Sequence, residues 1–382
     1  MDKVAIIGIG MTKIEADKRG DTFADMAWEA VNLALADAHM TIAEVDNVIT
    51  TSNDFWDGRT ISCMAVGDAT GAGQGKNTSC VEGDGTFGAF YGLTRILSGA
   101  YGTTLVTAHS KGSESVSSLI TNAALDPIYD RALGLDMVTA CALQARAYMH
   151  RHGVKPEHLA RVSVKNHGNA LRNPLAQLPL KLTVEDVLRS EMIADPLHLL
   201  DCSPVSDGCC AIILANEQRA RRSARQPVWV TGVSFCADAY YLGDRDLAVP
   251  RSLTQAAQRA YAMAGIHDPA REVQVAEVYD AFTYQELMWI EGLGLAEAGG
   301  AKDRLERGDF DLEGPLPVNP SGGLLGGHPV IAAGLYRMAE AVKQLRGEAG
   351  SYQVDGAKVA VAQGLNGLCG QSHCVWTLDN RS

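Results

Sequence analysis

Residues 77–88 read NTSCVEGDGTFG and run straight into an apolar, helix-forming stretch, AFYGLTRILSG. A glycine-rich loop entering a helix presents a reactive group or an anion to the unpaired N–H groups of the helix N-terminus. Cys80, Glu82 and Asp84 stand close together in this loop. A second candidate is His328 in GGHPVIAAG (326–334), after glycines and before Pro329. That pattern is a turn entering a helix, with the ring free to face a cleft. A neutral imidazole there donates to a developing oxyanion or shuttles a proton near pH 7. VYDAFTYQE (278–286) puts Tyr279 and Asp280 at the C-terminal end of a strand, where open α/β sheets keep their sites. NGLCGQSHC (366–374) places Cys369 in a Gly-flanked loop, again after a strand. These loops at strand ends are expected to converge on a single active site.

Other motifs carry less. The GIG at Gly8–Gly10 lacks the third glycine of a dinucleotide site, since Lys13 stands in its place. SDGCCAIILAN (206–216) is an apolar run, so its paired thiols read as small hydrophobes of a buried strand. His150, His152, His158 and His167 have no metal-ligand spacing and read as solvated or capping residues. No metal site is expected.

The elements that must hold these groups repeat along the chain. KVAIIGIGM (3–11) reads as a buried strand, followed by a helix over Thr22–His39 and a strand over 45–54. PVWVTGVSF (227–235), a helix over Thr254–Ala264 and a strand in AEVYDAFTYQE (276–286) echo that series. The 77–99 loop and helix, with the strand GTTLVTAHSK (102–111), are echoed by NPSGGLLGGHPVIAAGLYRMAEAV and AKVAVAQGLNG (357–367). Strands alternating with helices predict α/β architecture with parallel βαβ units. The repeat predicts two similar halves, 1–220 and 226–382, joined by the polar stretch NEQRARRSARQP. Residues 112–200 have no counterpart in the second half and read as a helical insertion covering the site.

Bulk properties fit that scheme. The 382 residues, 46% hydrophobic, can bury a large core. A net charge of −12 argues against a nucleic-acid footprint, while a local cationic patch remains compatible with an anionic substrate. No apolar run has the length of a membrane span, about 18 residues. Nine cysteines without a CxxC pair read as free thiols of a reducing cytoplasm.

Taken together, several stretches resemble the thiolase superfamily, and its sterol-carrier-protein type in particular. They are VAIIGIGMT, SGAYGTTLVTAHSK, VSVKNHGNALRNPLAQ, IADPLHLLDCSPVSDGCCAIIL, AEVYDAFTYQELMWIEGLGL, VNPSGGLLGGHPVIAAG and GLNGLCG, and they span essentially the whole chain. The resemblance implies a five-layered αβαβα thiolase fold, a homodimer and acyl-CoA substrates, with coenzyme A entering as part of the substrate and no tightly bound cofactor. Ser321, Gly322, Gly326 and Gly327 are the positions it implies for binding that group.

Family thiolases carry a nucleophilic Cys in a CASG pattern at the N-terminus of the first-half helix, where the dipole and N–H groups activate a thiolate. Counting back from Ser98–Gly99 puts Glu82 there, so that EGDG replaces CASG; aligning on Phe87–Gly88 puts Gly85 there. Cys80 lies two residues before Glu82. His328 matches the histidine that polarises the thioester carbonyl, Cys369 the base of the last loop, and Tyr279-Asp280 the place of a His-Asp pair. The resemblance therefore implies an aldolase-like enzyme that breaks a C–C bond by acid/base chemistry, as in the steroid side-chain aldolases, which work with a separate OB-fold, zinc-ribbon protein. Tyr279 or Glu82 would take the hydroxyl proton and His328 would stabilise the enolate. The alternatives are an acyltransferase using Cys80 or Cys369, and a non-catalytic acyl-CoA-binding or partner-activating subunit.

Overall fold

A computed structural model describes residues 3–381. β1 (Val4–Met11) leads to α1 (Phe23–Asp37), β2 (Asn47–Ser52), β3 (Asn77–Glu82), α2 (Gly85–Leu97) and β4 (Thr103–Lys111). α3 (Met137–His152) and α4 (Pro156–Ala170) follow, and β5 (Asp207–Asn216) completes the first half. The second half runs β6 (Val228–Ala237), α5 (Arg251–Ala264), β7 (Val275–Glu277), α6 (Thr283–Gly292), α7 (Ala333–Arg346), β8 (Val359–Asn366) and β9 (Ser372–Asp379).

The strands form one mixed sheet in the order β3-β2-β4-β5-β1-β6-β9-β8-β7. Its two half-sheets meet at a short seam, where Val4, Ala5 and Ile6 pair with Val230, Trp229 and Val228. The duplication shows in the pairing. β2 is parallel to both β3 and β4, and β7 is parallel to β8. Where a counterpart of β3 would run there is a single parallel bridge, Ala276 to Val318. Apolar side chains set the layers. Met26, Ala30 and Ala34 of α1 pack on the outer face of the first half. Ala89 and Leu93 of α2 pack with Leu335 and Met338 of α7 between the half-sheets. Leu253 and Ala256 of α5 pack with Met288 of α6 on the outer face of the second. This is the αβαβα arrangement. Among the described residues, no helix is long and apolar enough to cross a membrane.

Helix signals were local and legible. Thr22 caps α1 in a reciprocal box with Asp25, as a Thr three residues before an acid predicts. The GIG motif serves this packing: a Cβ on Gly10 would come within 2.0 Å of the Ala30 carbonyl oxygen. Three expectations differ. Residues 77–82, read as loop, form the edge strand β3, paired in register with β2. As an exposed polar edge it has no buried face to betray a strand period. The strand expected over 276–286 stops at Glu277, because side chains replace the ladder: Asn319 Oδ1 accepts from Val278 N and Gln363 Oε1 from Tyr279 N, each at 2.8 Å. The helix expected from Thr254 starts at Arg251, directly after Pro250.

Candidate active site

Past the end of β7, Tyr279 and His328 meet. Tyr279 Oη lies 2.9 Å from His328 Nε2 and 3.3 Å from the Val330 carbonyl oxygen. The rings are edge to face, 5.3 Å between centroids. Behind the imidazole, Ser203 Oγ is 2.8 Å from Nδ1, and Ser206 Oγ accepts from the His328 backbone N–H at 2.8 Å. This network fits the tautomer with the proton on Nδ1 given to Ser203, leaving Nε2 to accept from the phenol. Burial, with the Arg337 guanidinium adding, pushes His328 down to about 3, so its ring is neutral at pH 7. Burial pushes the Tyr279 phenol well above its ordinary range, with the Asp84 and Asp280 carboxylates adding. The pair is therefore a neutral phenol hydrogen-bonded to a neutral imidazole.

Buried ions position the loop that carries His328. Arg337 of α7 pairs with Glu277, and its Nη1 donates to Ser321 Oγ at 2.7 Å. Ser321 Oγ in turn donates to Glu277 at 2.7 Å. The Asp280 carboxylate accepts from Leu324 N at 2.6 Å and Asn166 Nδ2 at 2.7 Å. A Cβ on Gly323 would sit 2.3 Å from that carboxylate, in a backbone of φ +62°. Only glycine fits there. Burial and the neighbouring Glu286 push Asp280 up to about 7. Asp280 thus holds the loop, while Tyr279 faces the cavity. Ser321, Gly322, Gly326 and Gly327 are buried in the same loop. Gly322 and Gly326 pack on Ala170 and Gly327 on Ile14, so they support His328 from behind.

The cavity has two lobes that share Trp56, Thr121, Met137, Tyr279, Val330 and Leu365. An apolar lobe of about 130 Å³ continues past His328 to Phe282 and Cys369. A more polar lobe of about 140 Å³ reaches Asn53, Asp84 and Asn366. A larger open cleft, about 700 Å³ beside Arg172, Arg307 and Glu313, holds neither Tyr279 nor His328 and has no comparable convergence of groups.

Of the residues singled out in the sequence, Tyr279, His328 and Cys369 come together on this cavity. Cys369 Sγ lies 3.9 Å from Cys141 Sγ; that contact and burial push its thiol up. Cys80 and Glu82 do not join them. Both are exposed on β3, and Glu82 reaches the cavity wall only through Asn53, whose Nδ2 donates to it at 3.2 Å. Gly85 faces inward, but a Cβ there would lie 2.7 Å from Leu335 Cβ, so the position is filled by helix packing.

Asp84 is the acid of the opening loop that lines the cavity. It caps α2 by accepting from Thr86 N at 2.9 Å, and its other oxygen accepts from Gly334 N of α7 at 2.7 Å. Two helix N-termini, one from each half, thus converge on one carboxylate. Burial outweighs these donors and pushes it up to about 6. Asp84→Ala is expected to cost about 1–3 kcal/mol at pH 7, from the lost cap and the orphaned Gly334 N–H. A folded value above the ordinary 3.8 means that Asp84's contribution is full below about pH 4 and lost as pH rises through 6. The variant's penalty should accordingly be larger at pH 4 than at pH 7 by about 2 kcal/mol, measured from urea unfolding.

Sequence reasoning did not single out Ser203, Ser206 or Asn53. The first two lie in CSPVSDG, a stretch noted for its adjoining buried strand and for the family resemblance, with no role given to either serine.

Sheet order, layers and the pair at the end of β7 together define a thiolase-fold protein. A family model described as "Thiolase C-terminal domain-like" matches residues 236–380. The chain is 35% identical to "Acetyl-CoA acetyltransferase" of Methanothermobacter thermautotrophicus, over 97% of this chain and 98% of that relative. It is 30% identical to "Sterol carrier protein 2" of Oryctolagus cuniculus, over 96% of this chain and 70% of that relative. A solved structure named "Ltp2-ChsH2(DUF35) aldolase" superposes with a TM-score of 0.85 at 27% identity, covering 100% of this chain and 98% of that one. The chain belongs to the thiolase superfamily, as an enzyme of its sterol-carrier-protein type.

Proposed function

We propose that this chain cleaves the Cα–Cβ bond of a β-hydroxyacyl-CoA by a retro-aldol reaction, releasing an aldehyde or ketone and a shortened acyl-CoA. The observation that carries the reading is the contact between Tyr279 Oη and His328 Nε2, 2.9 Å, which makes a phenol hydroxyl the imidazole's partner on the cavity. The aldolase among its relatives supports it.

The proton path follows from the geometry. As the substrate hydroxyl gives its proton to Tyr279 Oη, Tyr279 passes its own to His328 Nε2, and the Cα–Cβ electron pair moves into the thioester as an enolate. An isolated imidazolium is disfavoured in this buried place, but the enolate forms beside it as the counter-charge, which restores its basicity. His328 then returns that proton to Cα, Tyr279 keeps the one taken from the substrate hydroxyl, and the balance closes with both groups restored. Coenzyme A enters as part of the substrate, and the reading needs no tightly bound cofactor. A homodimer and a separate OB-fold, zinc-ribbon subunit belong to the same proposal; the aldolase relative pairs two components in its name.

The test is to incubate the protein, alone and with such a subunit, with β-hydroxyacyl-CoA. Release of a carbonyl product without an acyl adduct by intact-protein mass spectrometry is expected. A stable adduct on Cys369 or Cys80 would instead support an acyltransferase. Absence of turnover in both conditions would leave acyl-CoA binding or partner activation.

A further inference from the structure

A retro-aldol step leaves negative charge on the thioester oxygen, while Tyr279 is committed to the β-hydroxyl. Stabilising that oxygen takes a fixed donor close to His328. Ser203 stands there. It is half-buried, lines the apolar lobe together with Tyr279 and His328, and its Oγ lies 2.8 Å from His328 Nδ1. Oγ has no second hydrogen-bond partner among the described residues. The backbone around it is stitched on both sides. Ser203 N donates to the Ala281 carbonyl oxygen at 2.9 Å, Cys202 bridges to Phe282, and Val205 bridges to His328 itself. The hydroxyl is therefore held in place before substrate arrives.

The direction of the Ser203–His328 bond during the reaction follows from the chemistry. Once His328 has taken a proton at Nε2, both ring nitrogens are donors, whichever tautomer the resting ring had. Ser203 Oγ must then accept from Nδ1, and its own proton turns away from the ring. An acceptor for that proton arises in the same step, the thioester oxygen as it becomes an enolate. Donation into Oγ strengthens its donation onward, so the charge gained by the ring reaches the enolate through Ser203. Tyr279 and Ser203 hold opposite nitrogens of one imidazole, and the β-hydroxyl and thioester oxygen sit on the two carbons that flank Cα. One acyl unit thus meets both hydroxyls.

We propose that Ser203 is a further catalytic residue, whose hydroxyl donates to the thioester oxygen and stabilises the enolate while keeping its own proton. This rests on the retro-aldol reading above.

Kinetics and binding test it together. Ser203→Ala should lower kcat for carbonyl release from a β-hydroxyacyl-CoA by about 10²–10³-fold, the usual worth of one oxyanion donor, with KM little changed. The same variant should bind carboxymethyldethia-CoA, whose planar carboxylate mimics the enolate, about ten- to a hundredfold more weakly by calorimetry, the worth of one hydrogen bond to a charged group. Propanoyl-CoA, which carries no such charge, should lose less; equal loss for the two ligands overturns the proposal. In a His328→Ala background Ser203→Ala should still weaken the carboxylate ligand, because the contact is direct. No further loss there means that Ser203 acts only through His328, which also overturns it. Turnover by Ser203→Ala at the wild-type rate overturns the proposal and leaves the retro-aldol reading standing. A wild type that cleaves no β-hydroxyacyl-CoA, alone or with the OB-fold subunit, overturns both.

Discussion

Tyr279→Phe is expected to lower kcat for retro-aldol cleavage by about 10²–10⁴-fold, the usual worth of a positioned acid/base group. KM should change little, because the ring remains packed edge to face on His328 and keeps the cavity's shape. His328→Ala should lose a similar factor, since the phenol is held well above its ordinary range and cannot act as a base without a proton acceptor behind it. Because the two act as a unit, the double variant should be hardly worse than either single one. Steady-state release of the carbonyl product measures all three. If Tyr279→Phe turns over at the wild-type rate, the pair is not the reacting centre.

The second large effect concerns stability. Arg337→Met removes the partner of Glu277, which is fully buried and pushed up to about 6 even with the guanidinium in place. Breaking a buried ion pair from one side costs about 3–5 kcal/mol, because the remaining charge is stranded. The urea midpoint should fall accordingly. Arg337→Met combined with Glu277→Gln should recover much of the loss, since no charge is then buried alone. A midpoint unmoved by Arg337→Met would mean that Glu277 already folds in its neutral form. The His328 loop hangs from this pair through Ser321, so kcat should drop with stability in the single variant and return in the double.

Much of this was legible because it is local. The buried runs at 3–11 and 206–216, the helix beginning near Thr22 and the repeated βαβ order follow from apolar periodicity. What was not legible depends on side chains distant in sequence. β7 ends early because Asn319 and Gln363 take over its backbone partners. In the opening loop Glu82 and Cys80 looked as well placed as Asp84. The choice between them is made by Gly334, which supplies Asp84 with a second helix N-terminus from the other half of the chain. The inward face of the insertion, and so the size of the cavity, was equally hidden, since Thr121, Met137 and Val138 carry no motif.

The Tyr279–His328 pair and one wall of the cavity come from different parts of the chain. Tyr279 and His328 belong to the second half and are gripped from below by buried ions, whereas Ser117, Thr121, Met137 and Val138 belong to the insertion in the first. This separation bears on how such an enzyme diversifies. Substitutions in 117–138 can resize the cavity without touching Tyr279 or His328. Lineages can therefore explore new substrates at constant chemistry, and a mutant library confined to that stretch samples scope while sparing the reaction.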